Sequence, residues 1–198
     1  TLTIAEHEDF NWHARTSLGV IYAHGADSLF IGNSRAARAC LNDFRQSTIK
    51  QYPHSLQIDF RDFYGSIDHT ILIQRIEELA GASIWNQGAQ DLHGILPRLF
   101  ATIVRNPQTG LAQPITRGLL VGTTTDRLFA NIYFSPLDSI LQASRLPFTR
   151  QSDDITVYAD DPSCLRALLG PIDAFAKANH LELNPNKCRL DGQLLAIA

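Results

Sequence analysis

The chain has 198 residues, of which 44% are hydrophobic and 19% charged, and its formal net charge is −3. Such a composition is typical of a globular protein with a buried core, and no run of about 20 apolar residues is present to cross a membrane. The slightly acidic balance excludes a protein that coats nucleic acid with its whole surface. Three widely spaced cysteines exclude a disulfide framework and a zinc site and favour a reducing compartment. We therefore predict a cytoplasmic protein that does not associate with membranes.

The first part of the chain reads as a helix, a strand and a second helix. Residues 34–45 place their apolar side chains on one face, as a helix does. Residues 55–60 alternate apolar and polar side chains like a strand. Residues 67–80 return to helical spacing, with Asp68 as the expected cap and Gly81 as the expected stop.

A second helical region and a later helix are predicted in the other half of the chain. Apolar side chains recur at helical spacing over residues 128–141, where Pro136 should kink the helix or start a new one capped by Ser135. Residues 163–180 form another helical stretch, which should break at Gly170 and the proline that follows it.

Two hairpins are predicted beside these helices. The β-prone runs 148–152 and 155–159 are separated by only Asp153 and Asp154, which indicates a tight turn. A second hairpin is expected around residues 191–192. Because helices and hairpins are mixed, the predicted fold class is α+β.

Three carboxylates carry the chemistry. Asp59 follows the first predicted strand, and Asp153 and Asp154 lie at the hairpin; each by itself is typical of a turn or a cap. Brought together, they would form an all-oxygen site that selects Mg²⁺ or Mn²⁺. Their mutual repulsion requires a divalent cation. Two such ions would support in-line phosphoryl displacement, which is the chemistry of nucleotidyl transfer.

In this context the sequence resembles the palm of reverse transcriptases over about residues 20–190. Four motifs follow one another in the order that this family shows. The bacterial members, namely the retron, group II intron and abortive-infection types, are the most similar. The matching segments are Asp59-x4-Tyr64 within 59–69 for motif A, 118–133 for motif B, 149–157 for motif C and 183–187 for motif D.

The resemblance implies both a fold and an activity. The fold would be a polymerase palm, with a ferredoxin-like antiparallel sheet and packed helices at 55–198, part of the fingers at 1–54, and no thumb. The activity would be that of an RNA-directed DNA polymerase that uses two Mg²⁺ ions, or Mn²⁺, to transfer nucleotides from dNTPs to a primer 3′-hydroxyl. Its partners would be an RNA template and a DNA primer, and it would serve in phage defence.

Particular positions receive roles from the same resemblance. Asp59 and Asp153 would hold both metal ions, Asp154 would support the site, and the carbonyl of Phe60 would be a further ligand. The residues that would contact the nucleotide are Asp62, Phe63, Tyr64, Val121, Gly122 and Lys187.

The nucleotide contacts differ in kind. The backbone amides of Asp62 and Phe63 would meet the triphosphate, and Tyr64 would exclude a 2′-hydroxyl, although it could instead be a core aromatic. Gly122, after Val121, would let the backbone approach the templating base pair because it has no side chain. Lys187 would lie near the leaving pyrophosphate, although a solvated lysine after a turn is equally ordinary.

A second acidic pair competes with the one assigned to motif C. Asp160 and Asp161 follow Tyr158 and spell the motif more literally, but Pro162 comes next and cannot continue a strand. We therefore assign Asp160 and Asp161 to the exit of the hairpin and to a helix cap.

Departures from the family pattern leave alternatives open. Leu120 and Val121 stand where motif B usually has Pro-Gln, and Gln151 replaces the usual aromatic of motif C. The first departure favours an untemplated or protein-primed DNA polymerase of an abortive-infection system as an alternative. A catalytically silent palm that binds nucleic acid is another. A cyclase on a related topology is disfavoured because its Gly-Gly hairpin is missing.

Overall fold

The computed structural model describes residues 42, 45–78, 103–105, 110, 112–119 and 124–196. Its helices are α1 (45–51), α2 (Phe63–Ser66), α3 (69–78), α4 (Thr124–Tyr133), α5 (Ser135–Ala143) and α6 (Pro162–Ala178). Its strands are β1 (His54–Ile58), β2 (Ile103–Arg105), β3 (Ala112–Pro114), β4 (Phe148–Gln151), β5 (Asp154–Ala159), β6 (Arg189–Leu190) and β7 (Gln193–Leu194). None of the helices in these ranges is long and apolar enough to cross a membrane.

The centre of the described fold is a sheet of five strands in the order β4-β5-β1-β6-β7. Every neighbouring pair in it is antiparallel. In β1, Leu56 and Ile58 are buried whereas Gln57 between them is exposed, which is the alternation that places one face of a strand on the core. The strands β2 and β3 pair separately. The predicted α+β class, with an antiparallel sheet and packed helices, is confirmed.

The helices bury an aromatic cluster against the sheet. Helix α6 contacts β1, β5 and α5. The ring of Phe134 stacks on Phe63, with 4.4 Å between centroids, and on Phe175 at 5.9 Å, and it lies 5.2 Å from the ring of Phe60. All four rings are at most 5% exposed. The segment after β1 is thus fixed to the helical layer by Phe60 and Phe63.

Replacing Phe134 by alanine is expected to lower the free energy of unfolding by about 3–5 kcal/mol, because the change leaves a cavity among three other rings. Urea denaturation measures this loss. Leu194→Ala is the control, since Leu194 is 56% exposed and its truncation should change stability by less than about 0.5 kcal/mol. Equal losses in the two variants would show that the aromatic cluster is not a main source of stability.

The predicted break in the last long helix is wrong. Helix α6 continues from Pro162 to Ala178 with Pro171 inside it. A proline removes one helical hydrogen bond and crowds the preceding turn. Here the apolar face outweighs that cost, because buried side chains lie on both sides of the proline, including Leu168, Ile172 and Phe175.

Two local predictions need smaller corrections. Pro136 does begin a new helix, α5, but Ser135 is not its cap. The Ser135 hydroxyl donates instead to the carbonyl of Ile132 at 2.9 Å, and the cap position is Phe134, without a side-chain hydrogen bond. In the first hairpin, Gln151 pairs with Asp154, so the turn is made by Ser152 and Asp153.

Other predicted elements are confirmed where the structure describes them. The backbone amide of Thr70 donates to Asp68 Oδ1 at 2.9 Å, so Asp68 caps α3 as expected. The second hairpin joins β6 and β7 through residues 191–192. Gly81 and all of the predicted helix 34–45 except residues 42 and 45 lie outside the described residues.

Candidate active site

The strand register brings the predicted carboxylates together where β1 ends and the neighbouring strand β5 begins. Ile58 pairs with Ile155, so Asp59, the residue after β1, lies level with Asp154, the first residue of β5. Asp153 occupies the adjoining turn. Asp59 is buried, Asp153 half-buried and Asp154 exposed. Two segments almost a hundred residues apart in sequence thus present their acidic residues side by side.

Asp59, Asp153 and Asp154 together form what we call the acidic group. The negative charges of Asp59 and Asp154 change the pKa of Asp153. Burial raises the pKa of the Asp153 carboxyl, and the negative charges of Asp59 and Asp154 raise it further. Asp153 is therefore close enough to the other two carboxylates to be repelled by both. A compensating positive charge would stabilise their ionised forms.

Part of that compensation comes from motif D. Lys187 Nζ donates to Asp59 Oδ2 at 3.0 Å, and Asn184 Nδ2 donates to Asp59 Oδ1 at 2.9 Å. The backbone amide of Asn184 also donates to the Asp59 carbonyl at 2.9 Å. The hydrogen bond and the charge of Asp59 raise the pKa of Lys187. The turn that carries Lys187 is thus tied to Asp59, and the Lys187 ammonium lies against the Asp59 carboxylate.

The donor chemistry of the acidic group fits a hard divalent cation, since carboxylate oxygens are the ligands that Mg²⁺ and Mn²⁺ prefer. The full ligand set is not assembled, however: in the part of the chain that the structure describes, no group of three or more His, Cys, Asp or Glu side chains converges as a metal site. Both oxygens of Asp59 are held by Lys187 and Asn184 instead.

The turn after Asp59 has a special backbone. Phe60 is buried and bridges to Leu183, whereas Asp62 adopts the left-handed conformation, with φ 41°, just before α2. A Cβ at Gly65 would overlap the Asp62 carboxylate, so a larger residue would displace it. Left-handed and helical residues in succession are the arrangement in which backbone amides form an anion-binding nest.

Tyr64 points toward the hairpin tip. Its hydroxyl is hydrogen-bonded to the hydroxyl of Ser152 at 2.9 Å, next to Asp153. The Tyr64 ring also packs edge-on against Phe63. Because Tyr64 is only half-buried, it lies at the border between the core and the acidic group, where it can contact a ligand.

The start of motif B packs against the same turn. Gly118 has φ 90°, and a Cβ there would lie 3.3 Å from the carbonyl oxygen of Gly65. The Gly118 amide donates to Ile67 at 2.8 Å, and the Leu119 amide donates to Tyr64 at 2.9 Å. Glycine permits both the backbone conformation and the close approach. Val121 and Gly122, predicted to contact the nucleotide, lie outside the described residues.

The competing acidic pair lies at the opposite end of β5. His54 pairs with Ala159, so Asp160 and Asp161 are a full strand length from Asp59. Asp161 Oδ1 accepts a hydrogen bond from the Ser163 amide at 2.8 Å and caps α6. Hydrogen bonds to the Ser163 amide and side chain lower the pKa of Asp161. The predicted capping role of Asp161 is confirmed.

Sequence reasoning missed three residues of the site. Asn184 was included only as part of motif D and Ser152 only as part of motif C, and Arg150 was given no role. A sequence signal for Arg150 exists. It lies two residues after Phe148 in a short strand, so both side chains point to the same face, and a charged residue on a buried face needs partners. No local pattern reveals that Asn184 and Ser152 contact residues of motif A.

Comparisons with known proteins agree with this architecture. Residues 21–191 match the family described as Reverse transcriptase (RNA-dependent DNA polymerase). No curated protein matches the sequence significantly.

Among solved structures, the telomerase of Candida albicans with a TWJ fragment of telomeric RNA has a TM-score of 0.55 at 15% identity, over 81% of this chain and 30% of that chain. The apo telomerase of Candida tropicalis also has a TM-score of 0.55, at 13% identity, over 89% of this chain and 33% of that chain. The chain therefore spans about a third of these proteins, and the likeness shows the fold. Because the family match covers most of its length, the chain belongs to the reverse transcriptase (RNA-dependent DNA polymerase) family.

Proposed function

We propose that the chain is the palm and part of the fingers of a reverse transcriptase that transfers nucleotides from dNTPs to a primer 3′-hydroxyl on an RNA template. The observation that carries this proposal is the register that puts Asp59 level with Asp154, with Asp153 in the adjoining turn. The family match supports it. The division into fingers at 1–54 and palm at 55–198 is part of the same proposal.

Asp59 and Asp153 would hold two divalent cations, Mg²⁺ or Mn²⁺, with Asp154 and the Phe60 carbonyl in support. When bound, such a pair neutralises developing charge and polarises the reacting phosphoryl group. Lys187 would have to leave Asp59 Oδ2 to free that oxygen, and its ammonium would then be available to the negatively charged phosphates. A lysine ammonium stays protonated at neutral pH even with its ordinary pKa, so the side chain keeps its positive charge after it leaves Asp59.

The remaining residues would bind and orient the nucleotide. The amides of Asp62 and Phe63 would receive the triphosphate in the left-handed turn. Tyr64 would lie under the sugar, held beside the hairpin tip by its bond to Ser152. Val121 and Gly122 would contact the base pair. Holding the reacting groups in this way lowers the barrier because their freedom of movement is already lost on binding.

Primer extension tests the proposal directly. The protein is given Mg²⁺, a DNA primer annealed to an RNA template, and dNTPs either singly or as a mixture, and the product is sequenced. Reverse transcription requires a product complementary to the template. No incorporation with any template or nucleotide would refute the proposed activity.

Two other functions rest on specific observations. Leu120 and Val121, where the family usually has Pro-Gln, favour an untemplated or protein-primed DNA polymerase, for which the sequenced product would not follow the template. A silent palm, which would bind RNA without extending a primer, requires that Lys187 and Asn184 keep both Asp59 oxygens engaged. The bacterial subtype, the role in phage defence and the cytoplasmic location stay predictions from the sequence.

Magnesium is expected to stabilise the folded protein. At about 100 times its Kd, a ligand of the native state alone adds about 2.7 kcal/mol to the free energy of unfolding. Thermal melting with and without Mg²⁺ measures this gain, and chelation should reverse it. Asp153→Asn should remove most of the gain, because one ligand carboxylate is lost. An equal gain in both proteins would place the Mg²⁺ elsewhere.

The same variant has an opposite expected effect without metal. Burial and the charges of Asp59 and Asp154 raise the pKa of Asp153, so its ionised form is penalised in the folded state at neutral pH. Asp153→Asn removes that penalty. The metal-free variant should therefore melt at a slightly higher temperature than the original protein.

A further inference from the structure

Arg150 is a buried cation beside the acidic group. It lies in β4, is 1% exposed and is among the largest fully buried side chains in the described part of the chain. Its Nε and Nη2 donate to the two carboxylate oxygens of Asp138 at 2.7 Å each, and its Nη1 donates to Asn131 Oδ1 at 2.8 Å. The guanidinium also lies 5.4 Å from the ring centroid of Phe134. Arg150 thereby joins β4 to α4 and α5.

One further bond of Arg150 reaches the hairpin tip. Nη1 donates to the carbonyl oxygen of Ser152 at 3.1 Å, on the residue that precedes Asp153. The hydroxyl of the same serine is bonded to Tyr64. The turn is thus held at its backbone by Arg150 and at its side chain by Tyr64.

The turn needs such support. Ser152 has φ 59°, in the left-handed region that a residue with a Cβ adopts only at a cost. A planar guanidinium suits this task, because its rigid fork can bind Asp138, Asn131 and the Ser152 carbonyl at once. The ammonium of a lysine is a single point of attachment and cannot reproduce that geometry.

Stability alone is a weak reason to bury this ion pair. Well-packed apolar side chains of similar volume are often at least as stabilising as a buried ion pair, because removing charges from water is costly. The bond to Ser152 gives the pair a second role, since it joins the helical layer to the residue beside Asp153.

We propose that Arg150 is a positioning residue: anchored by Asp138 and Asn131, it holds the Ser152 carbonyl so that the Asp153 carboxylate faces Asp59. This inference rests on the proposed function only in that it takes Asp153 to be a metal ligand. Arg150 itself contacts no substrate.

The test compares Arg150→Lys with the original sequence in the full chain. Mn²⁺ affinity is measured by electron paramagnetic resonance, and hydrogen exchange at residues 151–154 is measured without metal. Loss of a residue that orients a metal ligand typically weakens affinity about 10- to 100-fold. We expect a weakening in this range, together with faster exchange at the tip.

Leu141→Ala is the stability control, because Leu141 is fully buried on α5 and truncating it creates a cavity. It should leave Mn²⁺ affinity within about twofold, since it does not alter the Ser152 carbonyl contact. A purely structural role for Arg150 predicts instead that Arg150→Lys and Leu141→Ala weaken Mn²⁺ binding in proportion to their loss of stability, and that result would overturn the inference.

A second substitution at the tip sharpens the test. In the Arg150→Lys background, Ser152→Gly should restore Mn²⁺ affinity in part, because glycine adopts the left-handed conformation without support. Ser152→Ala removes the same hydroxyl without relieving the backbone and should restore nothing. Equal affinities in the two double variants would contradict the inference. If Arg150→Lys does not fold, Asn131→Ala, which removes one anchor, should still speed exchange at residues 151–154.

The outcomes separate this inference from the proposed function. If Asp153→Asn binds Mn²⁺ as tightly as the original protein, the proposed metal site is wrong, whereas faster exchange at the tip in Arg150→Lys still supports positioning by Arg150. If the original protein extends primers and Arg150→Lys matches it in both Mn²⁺ affinity and exchange, only the role of Arg150 is refuted.

Discussion

Replacing Asp153 by asparagine is expected to reduce primer extension by about 1000-fold or more, which corresponds to roughly 4 kcal/mol of transition-state stabilisation. Asparagine has nearly the same shape but no negative charge, so it cannot neutralise the cation that the reaction requires. Asp153 is half-buried in the turn and within reach of the charges of Asp59 and Asp154, so the substitution removes a central carboxylate of the acidic group. Steady-state incorporation of a single dNTP measures the effect.

Asp161→Asn is the matched control for this prediction. It is the same chemical change in the competing acidic pair, and asparagine caps a helix about as well as aspartate does. Activity should therefore stay within about twofold of the original, as for most surface substitutions. If the loss falls on Asp161→Asn and not on Asp153→Asn, motif C has been assigned to the wrong pair.

The position of the site at the ends of strands could be predicted from the sequence. Asp59 follows a run of alternating side chains, and Asp153 lies between two β-prone runs, so both were placed at strand ends. In the observed register Ile58 pairs with Ile155, and Leu56, Ile58 and Ile155 are all buried, as the alternation requires. The local pattern and the tertiary packing agree here, which is why the sequence alone could place Asp59 and Asp153 at strand ends.

The contacts that set the chemistry could not be predicted in this way. Lys187 and Asn184 reach Asp59 across more than 120 positions of sequence, and no local periodicity encodes such a distance. The helix that continues through Pro171 shows the same limit. Proline usually ends a helix, but α6 continues because its buried face packs against other elements of the fold, which local sequence does not show.

The ion pair between Lys187 and Asp59 links motif D to motif A. The Lys187 ammonium supplies part of the positive charge that the acidic group needs. A divalent cation that binds Asp59 must compete with Lys187 for Oδ2. Cation binding at motif A would therefore change where the Lys187 side chain of motif D lies.

Replacing Tyr64 by alanine is expected to raise the incorporation of ribonucleotides relative to deoxynucleotides about 10- to 100-fold, the range that one steric contact with a substrate controls. The half-buried Tyr64 reaches the hairpin tip through its bond to Ser152, so its ring borders the space beside Asp153. The measurement is the ratio of kcat/KM for dGTP and GTP on one primer-template.

Tyr64→Phe separates the ring from the hydroxyl. It keeps the aromatic ring but loses the bond to Ser152, so nucleotide selectivity should stay within about threefold, because the excluded volume is almost the same. The alternative, that Tyr64 is only a core aromatic, predicts that Tyr64→Ala lowers stability, through lost packing against Phe63, and leaves selectivity unchanged. Because the two interpretations differ in selectivity and not in stability, the kcat/KM ratio decides between them even if both variants unfold more easily.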